Sequence, residues 1–126
     1  MSDHTTARLP VEVLDEAVLE EIFSIMPDDM QILFSSFQQD AELRLQRIND
    51  AIDAGDAEEL RRSAHTLKGG ALGVGAGGYA AQCRAMEELG RNDDLALAPS
   101  LLVSLKSDLR GVVAALKQWY AARSVM

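Results

Sequence analysis

Apolar residues recur three and four positions apart along most of the chain, the period of helices that each bury one face. Five such stretches can be traced. The first is short (Leu14, Val18, Ile22, Ile25) and stops at Pro27. The second begins near Asp28, a residue suited to an N-cap. It runs through Met30, Phe34, Phe37, Ala41, Leu45, Ile48 and Ile52, and Gly55 ends it. The third opens with Asp56 and Glu59 at the spacing of a capping box, with Asp in place of the usual Ser or Thr. Its stripe is Ala57, Leu60, Ala64, Leu67, Ala71 and Val74. After a glycine-rich break, a fourth stripe follows at Tyr79, Cys83, Met86 and Leu89, with Gly90 as its expected stop. A polar loop spans Arg91 to Asp94. Pro99 then suits the first turn of a last helix carrying Leu102, Leu105, Leu109, Val112, Leu116 and Trp119.

No alternating strand pattern and no internal repeat interrupt this series. Short connections make neighbouring helices antiparallel, and four long helices with single stripes can bury them only against one another. The expectation is an all-α fold, an up-down-up-down four-helix bundle with a short extra N-terminal helix. Residues 1–10 read as a flexible polar tail, with His4 a solvated member of it, and residues 11–126 as one domain. A single stripe per helix predicts a monomer.

Composition narrows the class. At 126 residues with 48% hydrophobic content the chain suits one domain with a sizeable core. One cysteine, Cys83, cannot form an internal disulfide. No basic-then-apolar leader is evident, and no apolar run approaches the ~18 residues of a membrane span, so a cytoplasmic protein without membrane association is expected. The Met1 start and the short tail after Trp119 mildly favour a free-standing chain. A net charge of −8 argues against general nucleic-acid binding. That charge is uneven: residues 1–59 hold 15 acids and 3 bases, whereas residues 60–126 hold 5 acids and 9 bases. The plain reading is solvated surface; the functional one is that the second half meets an acidic partner.

The chemistry concentrates on the third stretch. His65 lies roughly 130° from the centre of the stripe at the helical period and should be largely exposed. Arg61, Arg62, Lys68, Gly69 and Leu72 share its side at spacings of three, four and seven. Gly69, Gly70 and Gly73 each cost about 1 kcal/mol relative to Ala in a helix interior, so they need a reason. Gly69, one turn past His65, leaves the backbone bare beside the ring, where a partner's active site can close over it. A neutral imidazole is a nucleophile near physiological pH, and Lys68 suits neutralisation of an attached phosphoryl group. On residues alone, a solvated surface histidine is the commoner case.

The run Ala64-His65-Thr66-Leu67-Lys68-Gly69-Gly70-Ala71-Leu72-Gly73-Val74-Gly75-Ala76 closely resembles the phosphoacceptor motif of histidine-containing phosphotransfer (HPt) domains. His65, Lys68, Gly69 and the Gly75-Ala76 pair match that pattern. So do the entry at Gly55, Asp56 and Leu60 and the following helix at Cys83, Arg84, Met86 and Glu87. The resemblance covers roughly residues 14–120. It implies a bundle with His65 facing solvent, which takes a phosphoryl group from a receiver aspartate or a sensor or hybrid histidine kinase. His65 then passes the group to a response-regulator receiver domain. It also implies a phosphocarrier and no enzyme: the partner supplies the catalytic groups and Mg²⁺, so no cofactor and no metal site are expected here. Family members often set a Glu or Gln of the next helix against the histidine. Glu87 occupies that position, with a plain surface carboxylate as the alternative. Arg61, Arg62, Lys68, Gly69, Leu72 and Arg84 are the expected partner-binding residues.

The extra glycines Gly70, Gly73, Gly77 and Gly78 depart from the pattern. The Gly70-Ala71 version also occurs in phosphoacceptor domains of chemotaxis-type kinases, which leaves open whether the donor is a receiver or a kinase. A non-catalytic helical interaction scaffold is the reading from another class. Gly73 to Gly78 also spells the dinucleotide fingerprint G-x-G-x-x-G, but that motif must follow a strand and here follows a helix. Ser63 and Thr66 adjoin His65 in sequence and so do not face it, which excludes a hydrolase arrangement.

Overall fold

In the computed structural model, which describes residues 14–124, five α-helices account for most of the chain. They are α1 (Glu16–Ile25), α2 (Met30–Ala54), α3 (Ala57–Gly73), α4 (Gly77–Arg91) and α5 (Ala98–Ser124), with a 3₁₀ turn at Pro27–Asp29 between α1 and α2. No strand occurs among the described residues. The expected tail over residues 1–10, with His4, lies outside them. No described helix is long and apolar enough to cross a membrane.

The helices α2 to α5 close a ring: α2 packs on α3, α3 on α4, α4 on α5 and α5 back on α2. This is the expected four-helix bundle, and the stripes read from the sequence are its core. Met30, Phe34, Phe37, Ala41, Leu45 and Ile48 of α2 are buried. So are Leu60, Ala64, Leu67 and Ala71 of α3, with Val74 just beyond it, and Leu102, Leu105, Leu109, Val112 and Leu116 of α5. Buried polar groups tie α4 to α5: the Tyr79 hydroxyl donates to the Leu105 carbonyl at 2.8 Å, and Gln82 Nε2 donates to Asp108 Oδ2 at 3.1 Å. Burial pushes the Cys83 thiol up to about 12, which leaves it inert as a thiol.

Local signals set the helix ends. Gly55 takes a left-handed φ of 67°, and its N–H turns back to the Ala51 and Ile52 carbonyls, which stops α2. Asp56 caps α3 by accepting from the Glu59 N–H at 3.1 Å. Only that half of the capping box forms, because the Glu59 carboxylate accepts from Arg62 and Ser63 instead. The start of α2 differs from expectation. Asp28 sits within the 3₁₀ turn, and Asp29, at the N-cap position, makes no side-chain capping bond.

Two expectations are corrected. In α1 the buried residue is Leu19, with Ile22 and Phe23 packed against the core, while Ile25 is 70% exposed. The bundle itself selects this phase. Leu19 lies against Gly75, and the Phe23 ring meets Trp119 and Tyr120 edge-on at 6.2 and 6.3 Å. The second correction concerns Gly90, which does not end α4. The helix continues to Arg91, and Gly90 is its point of closest approach to α3. A Cβ there would stand 2.7 Å from the Arg61 backbone nitrogen and 2.8 Å from the Ala57 carbonyl oxygen.

Candidate functional site

This close approach positions the site. Gly90 brings α4 against the first half of α3, and one turn before it Glu87 enters the seam between the two helices. The Glu87 side chain is 4% exposed, so the plain surface carboxylate considered from the sequence is excluded. A buried carboxylate requires partners, and Glu87 has three. His65 Nδ1 lies 2.9 Å from Oε2, Lys68 Nζ 2.8 Å from Oε1, and Arg91 Nη2 3.3 Å from Oε2.

Electrostatics then assign the proton on the ring. Burial pushes the Glu87 carboxyl up, but its contacts with Lys68 and His65 outweigh burial and hold it at about 2. At neutral pH Glu87 is therefore ionised and can only accept, so the hydrogen in the 2.9 Å contact belongs to Nδ1. In the neutral ring Nε2 consequently carries the free lone pair. The His65 side chain is 62% exposed, which leaves this nitrogen open to a partner.

The expected surface around His65 is assembled in part. A Cβ on Gly69 would meet nothing within 4 Å, so the backbone one turn past the histidine faces open space. Leu72 is 53% exposed on the next turn. The cations differ from expectation. Arg61 is engaged by Glu58 through Nε at 3.0 Å and Nη2 at 2.7 Å, and Arg62 by Glu59 at 2.9 Å. Lys68 is committed to Glu87. Arg84 is exposed one turn before Glu87 and makes no ion pair among the described residues. The extra glycine Gly70 lies against the Phe37 ring at 3.6 Å, an ordinary contact that an alanine would also make.

Sequence reasoning missed Arg91. Gly90 reads as a helix stop and so places Arg91 in a loop, yet the Glu87–Arg91 spacing of four is a helical ion-pair signal. No group of three or more His, Cys, Asp or Glu among the described residues is placed to hold a metal ion.

Comparison with known proteins agrees with this geometry. A family model for the Hpt domain matches residues 32–119, well over half of the chain. The chain belongs to the Hpt domain family. The crystal structure of histidine-containing phosphotransfer protein B (HptB) from Pseudomonas aeruginosa PAO1 is similar to it. The TM-score is 0.80 and the identity 34%, over 87% of this chain and 96% of that one. No curated protein sequence matches the chain. Hpt domains are phosphocarriers of two-component phosphorelays, not catalysts, and the all-helical bundle described here is the form expected of one.

Proposed function

We propose that this Hpt domain is a phosphorelay intermediate. His65 accepts a phosphoryl group from a receiver aspartate or a histidine kinase and passes it to a response-regulator aspartate. The observation that carries the reading is the 2.9 Å contact between His65 Nδ1 and a buried, ionised Glu87, beneath a ring that is itself exposed.

The Nε2 lone pair attacks the phosphorus of the donor's acyl phosphate. The Nε2–P bond forms as the P–O bond to the donor aspartate breaks, and that carboxylate leaves. With a kinase donor, Nε2 instead attacks the γ-phosphorus of ATP bound to the kinase, and ADP leaves as the bond to the γ-phosphorus breaks. Nδ1 keeps its proton throughout, and the positive charge arising on the ring is balanced by Glu87. Onward transfer runs the same steps in reverse with a second aspartate as nucleophile. Catalytic groups and Mg²⁺ come from the partner. Lys68 offsets phosphoryl charge, Glu87 orients the imidazole, and Gly69 with Leu72 admits the partner. Arg84, Arg61 and Arg62 face its acidic pocket. In this reading residues 11–126 form the functional module, monomeric and cytoplasmic, with the preceding residues a tail.

The test is phosphoryl transfer from a phosphorylated receiver or hybrid kinase to the wild type and to His65→Gln. An acid-labile, base-stable phosphate on the wild type alone is expected. Equal labelling of the variant, or no labelling of the wild type by any receiver or kinase, would reduce the bundle to an interaction scaffold.

A further inference from the structure

Resting on the phosphocarrier reading, the geometry points to Arg91 as a positioning residue: it is the reserve counter-ion that keeps Glu87 paired when Lys68 turns from Glu87 to a phosphoryl group on His65.

The site contains one buried anion, Glu87, and phosphorylation of His65 adds a second, so it needs two cations. Lys68 stands 2.8 Å from Glu87 Oε1. It also lies one helical turn after His65 on the same side of α3, where its flexible four-carbon stem lets the ammonium reach toward Nε2. A phosphoryl group on Nε2 brings a charge of about −2 beside Lys68, against the single charge of Glu87. Lys68 cannot serve both anions fully. Were it the sole side-chain ammonium or guanidinium on Glu87, its departure would leave a carboxylate that is 4% exposed with only the ring, whose positive charge the attached phosphoryl group already offsets, an unfavourable state.

Arg91 removes that conflict. Its Nη2 reaches Glu87 Oε2 at 3.3 Å, while its Nη1 is fixed by Glu88 at 2.7 Å. Arg91 comes from the last turn of α4, whereas Lys68 comes from α3. The two cations therefore approach different oxygens of one carboxylate from different helices, so one can leave without displacing the other. Oε2 keeps the Nδ1–H bond that orients the ring in both states of the cycle.

The experiment is urea unfolding at about pH 8 of unphosphorylated protein and of protein phosphorylated chemically with phosphoramidate. That reagent transfers its phosphoryl group to a histidine ring nitrogen with loss of ammonia. His65→Gln corrects for label elsewhere. In the wild type, phosphorylation should move the unfolding midpoint little. In Arg91→Met the midpoint should fall slightly without phosphate and at least twice as far with it. Arg91→Lys should restore most of the difference. In a Glu87→Gln background Arg91→Met should lose its phosphate-dependent part, because no buried carboxylate is left to pair. An equal fall in both forms would mean that Arg91 only steadies the end of α4 and would overturn the proposal. So would a phosphate-dependent fall that persists without Glu87. Because the label is chemical, failure of receivers to exchange phosphate with the protein would count against the relay and not against Arg91.

Discussion

Glu87 Oε2 lies 2.9 Å from Nδ1 of His65, so a carboxylate buried in one helix decides which nitrogen of an exposed ring on the preceding helix is free. Neither residue does this alone. The ring has the reactivity and the exposure, and the carboxylate has the fixed position. The α3–α4 seam holds the two together.

The Glu87 carboxyl makes stability pH-dependent. Its folded value is about 2 against an ordinary 4.5, so it is depressed. The contribution is complete above pH 4.5 and is lost as the pH falls toward 2. Urea unfolding should show the wild type more stable than Glu87→Gln at pH 7, with the gap narrowing steadily below about pH 4.5. A gap that does not change between pH 7 and pH 3 would contradict the pairing.

Gly90→Ala tests the seam. Alanine gains about 1 kcal/mol of helix propensity. Its methyl, however, would stand 2.7 Å from backbone that has no side chain to move aside. Overpacking of this kind costs about 1–3 kcal/mol, so net destabilisation is expected. Because Glu87 is one turn away, the His65 ring should also lose its tautomer preference, visible in ¹⁵N shifts of the imidazole. A stabilised Gly90→Ala protein with an unchanged ring would show that the helices are not in contact there.

At Gly69 the outcome should be the opposite for stability. Nothing stands within 4 Å of a Cβ at that position, so Gly69→Ala should stabilise by up to about 1 kcal/mol. Gly69→Leu should fold normally and yet transfer phosphate roughly tenfold more slowly, since a bulky group then occupies the approach to the ring, a cost of about 1.4 kcal/mol in the barrier. Unchanged transfer in the leucine variant would remove steric access as the reason for this glycine.

Charge steering is expected to depend on Arg84 more than on its neighbours. Arg62 is balanced by Glu59 on the same helix, whereas Arg84 has no acidic partner among the described residues. Arg84→Gln should lower the association rate with a receiver roughly two- to fivefold at low salt. The charge-neutral pair Arg62→Gln with Glu59→Gln should leave it almost unchanged. Both rates should converge near 1 M salt, where the screening length is ~3 Å. Stopped-flow association at two salt concentrations separates these outcomes.

The bundle and the exposed histidine were legible because their signals are periodic. A stripe such as Leu60, Ala64, Leu67 and Ala71 repeats often enough to define a phase, and His65 falls off it. The phase of α1 was not legible. Ten residues containing Val18, Leu19, Ile22, Phe23 and Ile25 accommodate two faces, and only contact with Gly75 and Trp119 chooses between them. Gly90 was misread for a related reason: a glycine that ends a helix and one that admits a neighbouring helix are the same letter. With the stop misplaced, Arg91 dropped out of the helix and out of the site, although Glu87 was found.

One further consequence concerns α1. Asp15 N–H donates to the Gly75 carbonyl at 2.7 Å, and Arg123 near the end of α5 pairs with Glu20 and lies 4.9 Å over the Trp119 ring. Both ends of the described chain thus emerge at one pole of the bundle. A tether, surface anchor or fluorophore joined to either end would leave from that pole, with the imidazole partway along the flank. A linker that starts at either end of the described residues therefore leaves on the same side of the bundle relative to His65.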